Sequence, residues 1–456
     1  MLSQLRHLIA AAALAAFGLT AGPAPAAAQA PERPLVLETI ELEGATRTHR
    51  ATALHAFPLR EGDEVTPTQI LDAVAALRDA ELFSSVDFRT SRGTERGRFV
   101  LHLIVVESGV ELRFGTGYRD LDGWYLIPAQ LRLDNRLGRG ERFRLQAKLG
   151  YRTSGVEFIA DDPQFGDGRN AWELMFAGYG VDQPYFLDGV EYRHSLGRGS
   201  LGFRVSRDLG PARVGVGWTF EVVDPDSSAR AFEDDPFRGI SRGERLEFAD
   251  LPSPVASVVG ERRRSVFHAQ VVHDSRARRL RASTPVSGVW GKLRTASHLY
   301  EDGFTSHGAV TVDLRAYRAT VGGALALRLR GGAVGDAAPF YDRFHLGGLY
   351  TIRGYPTQSL SPPEGDTRFW TASVEYRAPL VGRPDRPRLL GFLFLDVGDG
   401  WERGNHDANE TAAAVGWGLR LTVPWIDSLG ADFGIPVGPS SVDEAFHANA
   451  AIGWNF

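Results

Sequence analysis

The chain of 456 residues contains no cysteine and has no excess of positive charge. Without cysteine it has no disulfide framework, no cysteine-based zinc site and no cysteine nucleophile, and this composition suits an exported protein. Its net charge of -5 and the lack of a Lys and Arg cluster interleaved with aromatic residues exclude nucleic acid as a partner. The histidines are scattered without the spacing of metal ligands, so neither a metal nor a cofactor is predicted.

The first thirty residues have the pattern of a secretory signal peptide. Arg6 precedes an uncharged run from Leu8 to Thr20, and small residues follow as far as Ala30. A charged start, a short apolar centre and an Ala-x-Ala exit are typical of such peptides, which predicts a signal peptide over residues 1–28. A transmembrane anchor is the weaker alternative, because two prolines and few Leu or Ile residues make a poor spanning helix.

Residues 35–108 have the pattern of one small α/β unit. Alternation predicts a first strand over Leu35–Glu43, and Thr66 is placed to cap the second of two helices. Two strands, Ser85–Ser91 and Arg98–Glu107, follow and are joined by a hairpin loop. The predicted order is βααββ.

From Val110 onward, period-two alternation replaces helical periodicity as far as Phe456. Sixteen strands of roughly ten residues are predicted in this part of the chain. The predicted strands are residues 110–118, 124–134, 141–151, 170–181, 189–196, 200–208, 212–223, 263–274, 286–299, 305–317, 320–333, 368–379, 388–401, 411–425, 428–436 and 445–456.

The two faces of these strands have opposite polarity. Between Arg142 and Leu149, Arg, Gln and Lys alternate with Phe, Leu and Ala. A soluble sheet this long would need a cover for its apolar face, and nothing in the chain provides one. Lipid is a suitable cover, and closing the sheet removes edges that hydrocarbon does not tolerate. The predicted fold is an all-β transmembrane barrel of 16 antiparallel strands, of outer-membrane type, over residues 110–456, with a polar lumen and one small α/β domain before it.

Connection lengths predict the orientation of this barrel. With the α/β unit in the periplasm, the odd-numbered connections face outward, and they include the long ones at residues 152–169, 224–262 and 334–367. The even-numbered connections are mostly short. Both ends of the barrel then lie in the periplasm.

One connection carries the most distinctive stretch of the chain, LGGLYTIRGYPTQ, just before the twelfth strand. Taken alone, a loop arginine is usually a solvated charge. The residues of this motif are Gly347, Gly348, Ile352, Arg353, Gly354 and Tyr355. A second signal is the alternation of apolar residues at the C-terminus, with Ile452, Trp454 and the final Phe456. It resembles the terminal strand signal of bacterial outer-membrane proteins.

The α/β unit, with the phrases IELEGATRT, LREGDEVT, LRDAELFSSVDF and LHLIVVESG, resembles a polypeptide-transport-associated (POTRA) domain. Together with the barrel and the loop motif, residues 35–456 resemble the outer-membrane assembly superfamily of BamA, TamA and the two-partner secretion translocators, with a single POTRA domain. The motif has Ile352 where Val is commoner in that superfamily.

The resemblance implies that the loop folds back into the lumen and that Arg353 pairs with acidic residues on the barrel wall. The positions that match are Glu375 on the twelfth strand and Asp396 on the thirteenth. Ordinary solvation of these acids in the lumen is the alternative. Gly354 is expected to let the backbone approach the wall.

The same resemblance implies a factor for assembly, insertion or translocation in the bacterial outer membrane, with its POTRA domain in the periplasm. POTRA domains receive extended polypeptide by strand addition at an open sheet edge, and a plain spacer is the alternative here. The implied partners are unfolded outer-membrane or secreted client polypeptides, outer-membrane lipid and periplasmic accessory proteins. A client would also pair at the seam between the first and last strands.

A dedicated translocation pore for one secreted or surface protein is the alternative function. No enzyme is predicted. The hydrolase pattern Gly-x-Ser-x-Gly at residues 239–243 lies in a polar loop without the strand-turn-helix elbow that this chemistry needs.

Overall fold

A computed structural model describes residues 34–452, with gaps at residues 81, 120–122, 151, 167, 237–238, 277–284, 384–385, 405–410, 424–426 and 438–445. The proposed signal peptide, residues Trp454 and Phe456, and the side chain of Ile452 lie outside the described part of the chain. Among the described residues, no helix is both long enough and apolar enough to cross a membrane.

Residues 35–107 form a small α/β unit with a four-stranded sheet and two helices. Its hydrophobic core lies between the sheet and the helices. The sheet order is β2-β1-β4-β3; β1 and β4 are parallel and the other pairs are antiparallel. The strand β3 therefore lies at an edge of this sheet. The elements are β1 (Leu35–Glu43), α1 (Arg50–Ala56), β2 (Glu64–Val65), α2 (Pro67–Asp79), β3 (Phe83–Arg92) and β4 (Arg98–Glu107).

The sequence of this N-terminal unit explains both its second helix and its core. Thr66 Oγ1 accepts a hydrogen bond from the Gln69 N–H, and the Gln69 side chain accepts one from the Thr66 N–H, so a capping box starts α2. The apolar face of α2 then packs on the sheet. The fully buried leucines of the unit are Leu37, Leu77, Leu101 and Leu103.

The rest of the chain forms a closed barrel in which sequential strands pair antiparallel, and this confirms the predicted fold class. Sixteen long strands form the wall, because β13 pairs directly with β11 while the two-residue β12 pairs only with the outer part of β11. The strands are β5 (Val110–Arg119), β6 (Gly123–Asp134), β7 (Arg142–Gly150), β8 (Thr153–Phe165), β9 (Asn170–Leu187), β10 (Val190–Asp208), β11 (Arg213–Ala231), β12 (Arg245–Leu246), β13 (Arg262–Asp274), β14 (Gly288–Tyr300), β15 (His307–Thr320), β16 (Gly323–Val334), β17 (Arg368–Arg383), β18 (Arg386–Trp401), β19 (Ala412–Val423), β20 (Asp427–Pro436) and β21 (His447–Ile452).

Polarity alternates along the barrel strands as the sequence indicates. Leu145, Phe176 and Leu393 point outward and are 46%, 61% and 62% exposed, whereas Glu375 and Arg420 are each 1% exposed. The apolar band therefore lies on the outer surface, and charged side chains fill the lumen. This is the reverse of a water-soluble fold and is what a lipid surround requires.

One strand was predicted as a loop. Residues 152–169 were expected to form a long outward connection, but Thr153–Phe165 is the strand β8. Asp161 in this strand accepts hydrogen bonds from Arg142 Nε (2.9 Å) and Arg144 Nη2 (2.8 Å) on β7. A carboxylate on the lumen face is compatible with a strand because arginines on the neighbouring strand neutralise it.

In a second place, the sequence predicted two strands where the structure has one. The predicted strands 189–196 and 200–208 are one continuous strand, β10, in which Gly197 and Gly199 are extended rather than in a turn. The two errors offset each other, so the count of sixteen is correct and later strands keep their predicted positions in the order.

The correction moves the connection at residues 166–169 to the barrel end that carries the N-terminal unit. At the same end, Asn135 Nδ2 donates to Thr48 Oγ1 (2.7 Å), and the His49 N–H donates to the Gly138 carbonyl (2.9 Å). The N-terminal unit is thus docked on the turns of the barrel by specific polar contacts.

Candidate functional site: a loop anchored inside the barrel

The connection between β16 and β17, residues 335–367, folds into the lumen. Gly354 has φ of +100°, and a Cβ atom there would lie 2.9 Å from Ala414 Cβ and 3.2 Å from the carbonyl carbon of Gly434. Gly347 has φ of +108°, and a Cβ atom there would collide with the loop's own backbone. The glycines of the motif therefore permit both the bend and the close approach of the loop to the wall.

Two side chains of the motif pack against the barrel wall where the loop approaches it. Ile352 and Tyr355 are fully buried and pack against Ala412 and Ala414 of β19. The Tyr355 hydroxyl donates to the carbonyl of Ala413 (3.1 Å). The remaining glycine of the motif, at position 348, also has a positive φ of 92°.

Arg353 is only 2% exposed and meets both acids that the resemblance implied. Its Nε donates to Asp396 Oδ2 (2.7 Å) and its Nη2 to Asp396 Oδ1 (2.8 Å), which is a bidentate pair. Its Nη1 donates to Glu375 Oε1 (2.6 Å), and its backbone N–H donates to Asp396 Oδ2 (3.0 Å). The structure thus brings residues from the loop, β17 and β18 together.

Arg353 makes three further contacts that the sequence did not predict. Ser373 Oγ accepts from Nη2 (3.0 Å), Asp432 Oδ2 accepts from Nη1 (3.4 Å), and the Phe394 ring centre lies 3.7 Å from Cζ. Ser373 and Phe394 stand two residues from Glu375 and Asp396, so strand parity places them on the same face. Asp432 comes from β20, and only the strand register brings it near Arg353.

The acids around Arg353 are themselves shared with other arginines. Arg377 Nε donates to Glu375 Oε2 (2.8 Å), and Arg420 Nη1 donates to Asp432 Oδ1. Burial alone lowers the pKa of Arg353, but Asp396 and then Glu375 outweigh that effect and raise its pKa above the usual range. The buried network is balanced, with three cations and three anions: Arg353, Arg377, Arg420, Glu375, Asp396 and Asp432.

The same loop has a second anchor, which the sequence analysis did not identify. Asp342 accepts from both terminal nitrogens of the buried Arg264 on β13. Glu221 on β11 accepts from Arg264 Nε (2.9 Å) and Nη2 (2.7 Å). Arg198 on β10 donates to the carbonyl of Tyr341 (3.1 Å).

The two anchors lie on opposite sides of the barrel. The strands β10, β11 and β13 hold the first part of the loop, whereas β17 to β20 hold the motif. In the ring of sixteen long strands, β18 is the seventh after β10. The loop therefore crosses the lumen and is tied to the wall at both sides by buried arginine–carboxylate pairs.

Residues 135–456 match the Omp85 superfamily domain. The chain belongs to the Omp85 superfamily. It is similar to the outer membrane protein assembly factor BamA of Neisseria meningitidis serogroup B, with 30% identity over 104 residues, which are 19% of this chain and 13% of that protein. The match therefore spans only a small part of that relative's length.

Two solved structures share the fold of this Omp85 chain. BamA from Haemophilus ducreyi lacking POTRA domains 1–3 is 15% identical, with a TM-score of 0.57 and coverage of 91% of this chain and 85% of that one. CdiB from Escherichia coli is 14% identical, with a TM-score of 0.54 and coverage of 91% and 75%. The predicted resemblance to the BamA and TamA superfamily is confirmed, and the chain is an outer-membrane type β-barrel protein.

Proposed function

We propose that this Omp85 protein assembles or translocates polypeptides at the bacterial outer membrane, with residues 35–108 acting as a single POTRA domain in the periplasm. The observation that carries the proposal is the docking of a small α/β unit on the turns at one end of an Omp85 barrel, where Asn135 contacts Thr48. A passive pore has no need of such a unit.

The edge strand β3 is the proposed receiving site of the N-terminal unit. In the described chain it pairs only with β4, so its other edge presents backbone N–H and C=O groups, although the Val86 carbonyl already accepts from Arg78 Nε (2.8 Å) and would have to be released for a client strand. An extended client segment can add there as a fifth strand, because main-chain hydrogen bonding does not depend on the client's side chains.

The seam between β21 and β5 is the proposed exit of the client into the membrane. These strands are neighbours in the closed barrel. Gly115 and Gly117 lie in β5, and glycine weakens strand packing. The proposed work consists of strand exchange alone, without a cofactor or covalent step, and with lipid, client chains and periplasmic accessory proteins as partners.

Depletion of the protein in its native host, followed by quantitative comparison of the outer-membrane proteome, tests this function. An assembly factor with many clients predicts a broad loss of β-barrel proteins. Loss of one secreted or surface protein, with other barrels unchanged, would instead identify a dedicated translocation pore. An unchanged proteome contradicts both functions.

A further inference from the structure

A second polar cluster, separate from the Arg353 network, lies near the outward hairpin between β14 and β15. His298 and His307 are directly paired across these strands, and their rings stack with centres 4.5 Å apart. His307 Nε2 is 3.3 Å from Asp342 Oδ2, and His298 Nδ1 is 3.9 Å from the same oxygen. Three potential metal-ligand atoms thus converge within 4.8 Å of one another.

The histidine nitrogens in this cluster have few partners. The His307 side chain is 1% exposed, yet its Nδ1 has no hydrogen bond in the described structure, and the polar group next to its Nε2 and to His298 Nδ1 is the Asp342 carboxylate. Buried polar atoms are nearly always satisfied, so such a set of atoms calls for an explanation. A ligand that accepts lone pairs from neutral imidazoles provides one.

We propose that His298, His307 and Asp342 form a binding site for a divalent transition-metal cation of the zinc class. Two imidazoles and one carboxylate suit such an ion and leave a fourth position open for water. Bonds of about 2.0–2.1 Å around tetrahedral zinc place neighbouring ligand atoms roughly 3.3 Å apart. The His307–Asp342 separation of 3.3 Å matches this value, and the His298–Asp342 separation of 3.9 Å is longer, so the His298 ring has to move closer when the ion binds.

The surrounding charges are compatible with this site. Arg264 donates to Asp342 but is also neutralised by Glu221, so these three groups together carry one negative charge when the histidines are neutral. Asp342 Oδ2 accepts from Arg264 Nη1 and, at 3.5 Å, from the Tyr300 hydroxyl, so an ion at this oxygen replaces the long Tyr300 contact. Metal-bound carboxylates are commonly hydrogen-bonded by donors such as Arg264. The sequence shows no metal spacing because strand pairing joins the two histidines and a distant loop supplies the carboxylate.

The test is calorimetric titration of Zn²⁺ into the purified full chain in detergent after chelator treatment. One ion per chain is expected, and His307→Gln should weaken binding at least 10- to 100-fold, since even outer partners of metal ligands have effects of that size. His268→Gln is the matched control, because His268 lies on the adjacent β13 and outside the cluster. Heat-modifiable gel migration shows that each variant is folded, and His298→Gln replaces any variant that is not.

A thermal readout complements the titration. Because the ion binds only the folded chain, Zn²⁺ should raise the unfolding temperature of the wild type and of His268→Gln, but not of His307→Gln. Wild-type binding no tighter than that of the His298→Gln/His307→Gln double variant would overturn the proposal. So would an equal loss of binding in His268→Gln.

Discussion

The N-terminal unit and the barrel bury opposite kinds of side chains. In the N-terminal unit the large fully buried side chains are leucines, and burial of their apolar surface stabilises the unit. In the barrel most apolar residues of the wall face outward, and the three most voluminous buried side chains among the described residues are Arg264, Arg353 and Arg420, although Ile352 and Tyr355 are buried there too. Order inside the barrel therefore depends chiefly on pairing buried charges, whereas order in the N-terminal unit depends on filling space.

The largest expected effect comes from removing the central cation. Arg353→Ala leaves Asp396 and Glu375 buried without their main partner, which should cost about 3–5 kcal/mol of unfolding free energy. Arg330→Ala is the control, since Arg330 also faces the lumen and donates to the loop carbonyl of Tyr350 but is only partly buried. Its loss should cost about 1 kcal/mol. Denaturant unfolding and heat-modifiable migration in detergent measure both, and equal losses would contradict the contrast.

The matching experiment in the N-terminal unit removes volume. Leu101→Ala should destabilise that unit by about 2–5 kcal/mol because a fully buried leucine leaves a cavity. Leu71 is 57% exposed in the same unit, and Leu71→Ala should change stability by less than about 0.5 kcal/mol. Hydrogen exchange of residues 34–109 in the full chain reports the effect. Similar exchange in both variants would show that the core does not hold the unit together.

An acidic residue at the end of the N-terminal unit gives a pH-dependent effect. Burial raises the pKa of Glu107, but hydrogen bonds from the N–H groups of Thr48 and Arg47 and from nearby hydroxyls lower it to about 2. A lowered pKa in the fold stabilises at pH above the usual value of 4.5, and this contribution to the unfolding free energy is lost as the pH falls from 4.5 toward 2. Glu107→Gln should be less stable than wild type at pH 7 and nearly equal to it at pH 2. A constant difference across this range would refute the assignment.

The smallest effect is expected where a charge pair is exposed. Arg263 Nη2 lies 2.7 Å from Glu261 Oε1, but the two side chains are 61% and 49% exposed. Solvent screening weakens the attraction between the two charges of such a pair, so Arg263→Ala should change the unfolding free energy by less than about 0.5 kcal/mol. A loss near that of Arg353→Ala would mean that burial does not govern the strength of these pairs.

The sequence predicted the class of fold and the partners of Arg353 better than it predicted individual strands. Alternation identifies a barrel because one face must be apolar, and this holds even where a strand boundary is wrong. The strand β8 was missed because Asp161 is neutralised by residues on β7, which lie apart from it in sequence. Similarly, the register of the strands brings Asp432 to Arg353, and the path of the loop brings Asp342 to Arg264. No local sequence pattern specifies either of these.

The need for the Arg353 network in the protein's function is tested by complementation. In a host depleted of the protein, wild type, Arg353→Ala and Arg330→Ala are expressed to equal levels in the outer membrane, and the amounts of other barrel proteins are quantified. Wild type and Arg330→Ala are expected to restore those proteins, whereas Arg353→Ala is not. Full restoration by Arg353→Ala would contradict the claim that the anchored loop is needed for the protein's work.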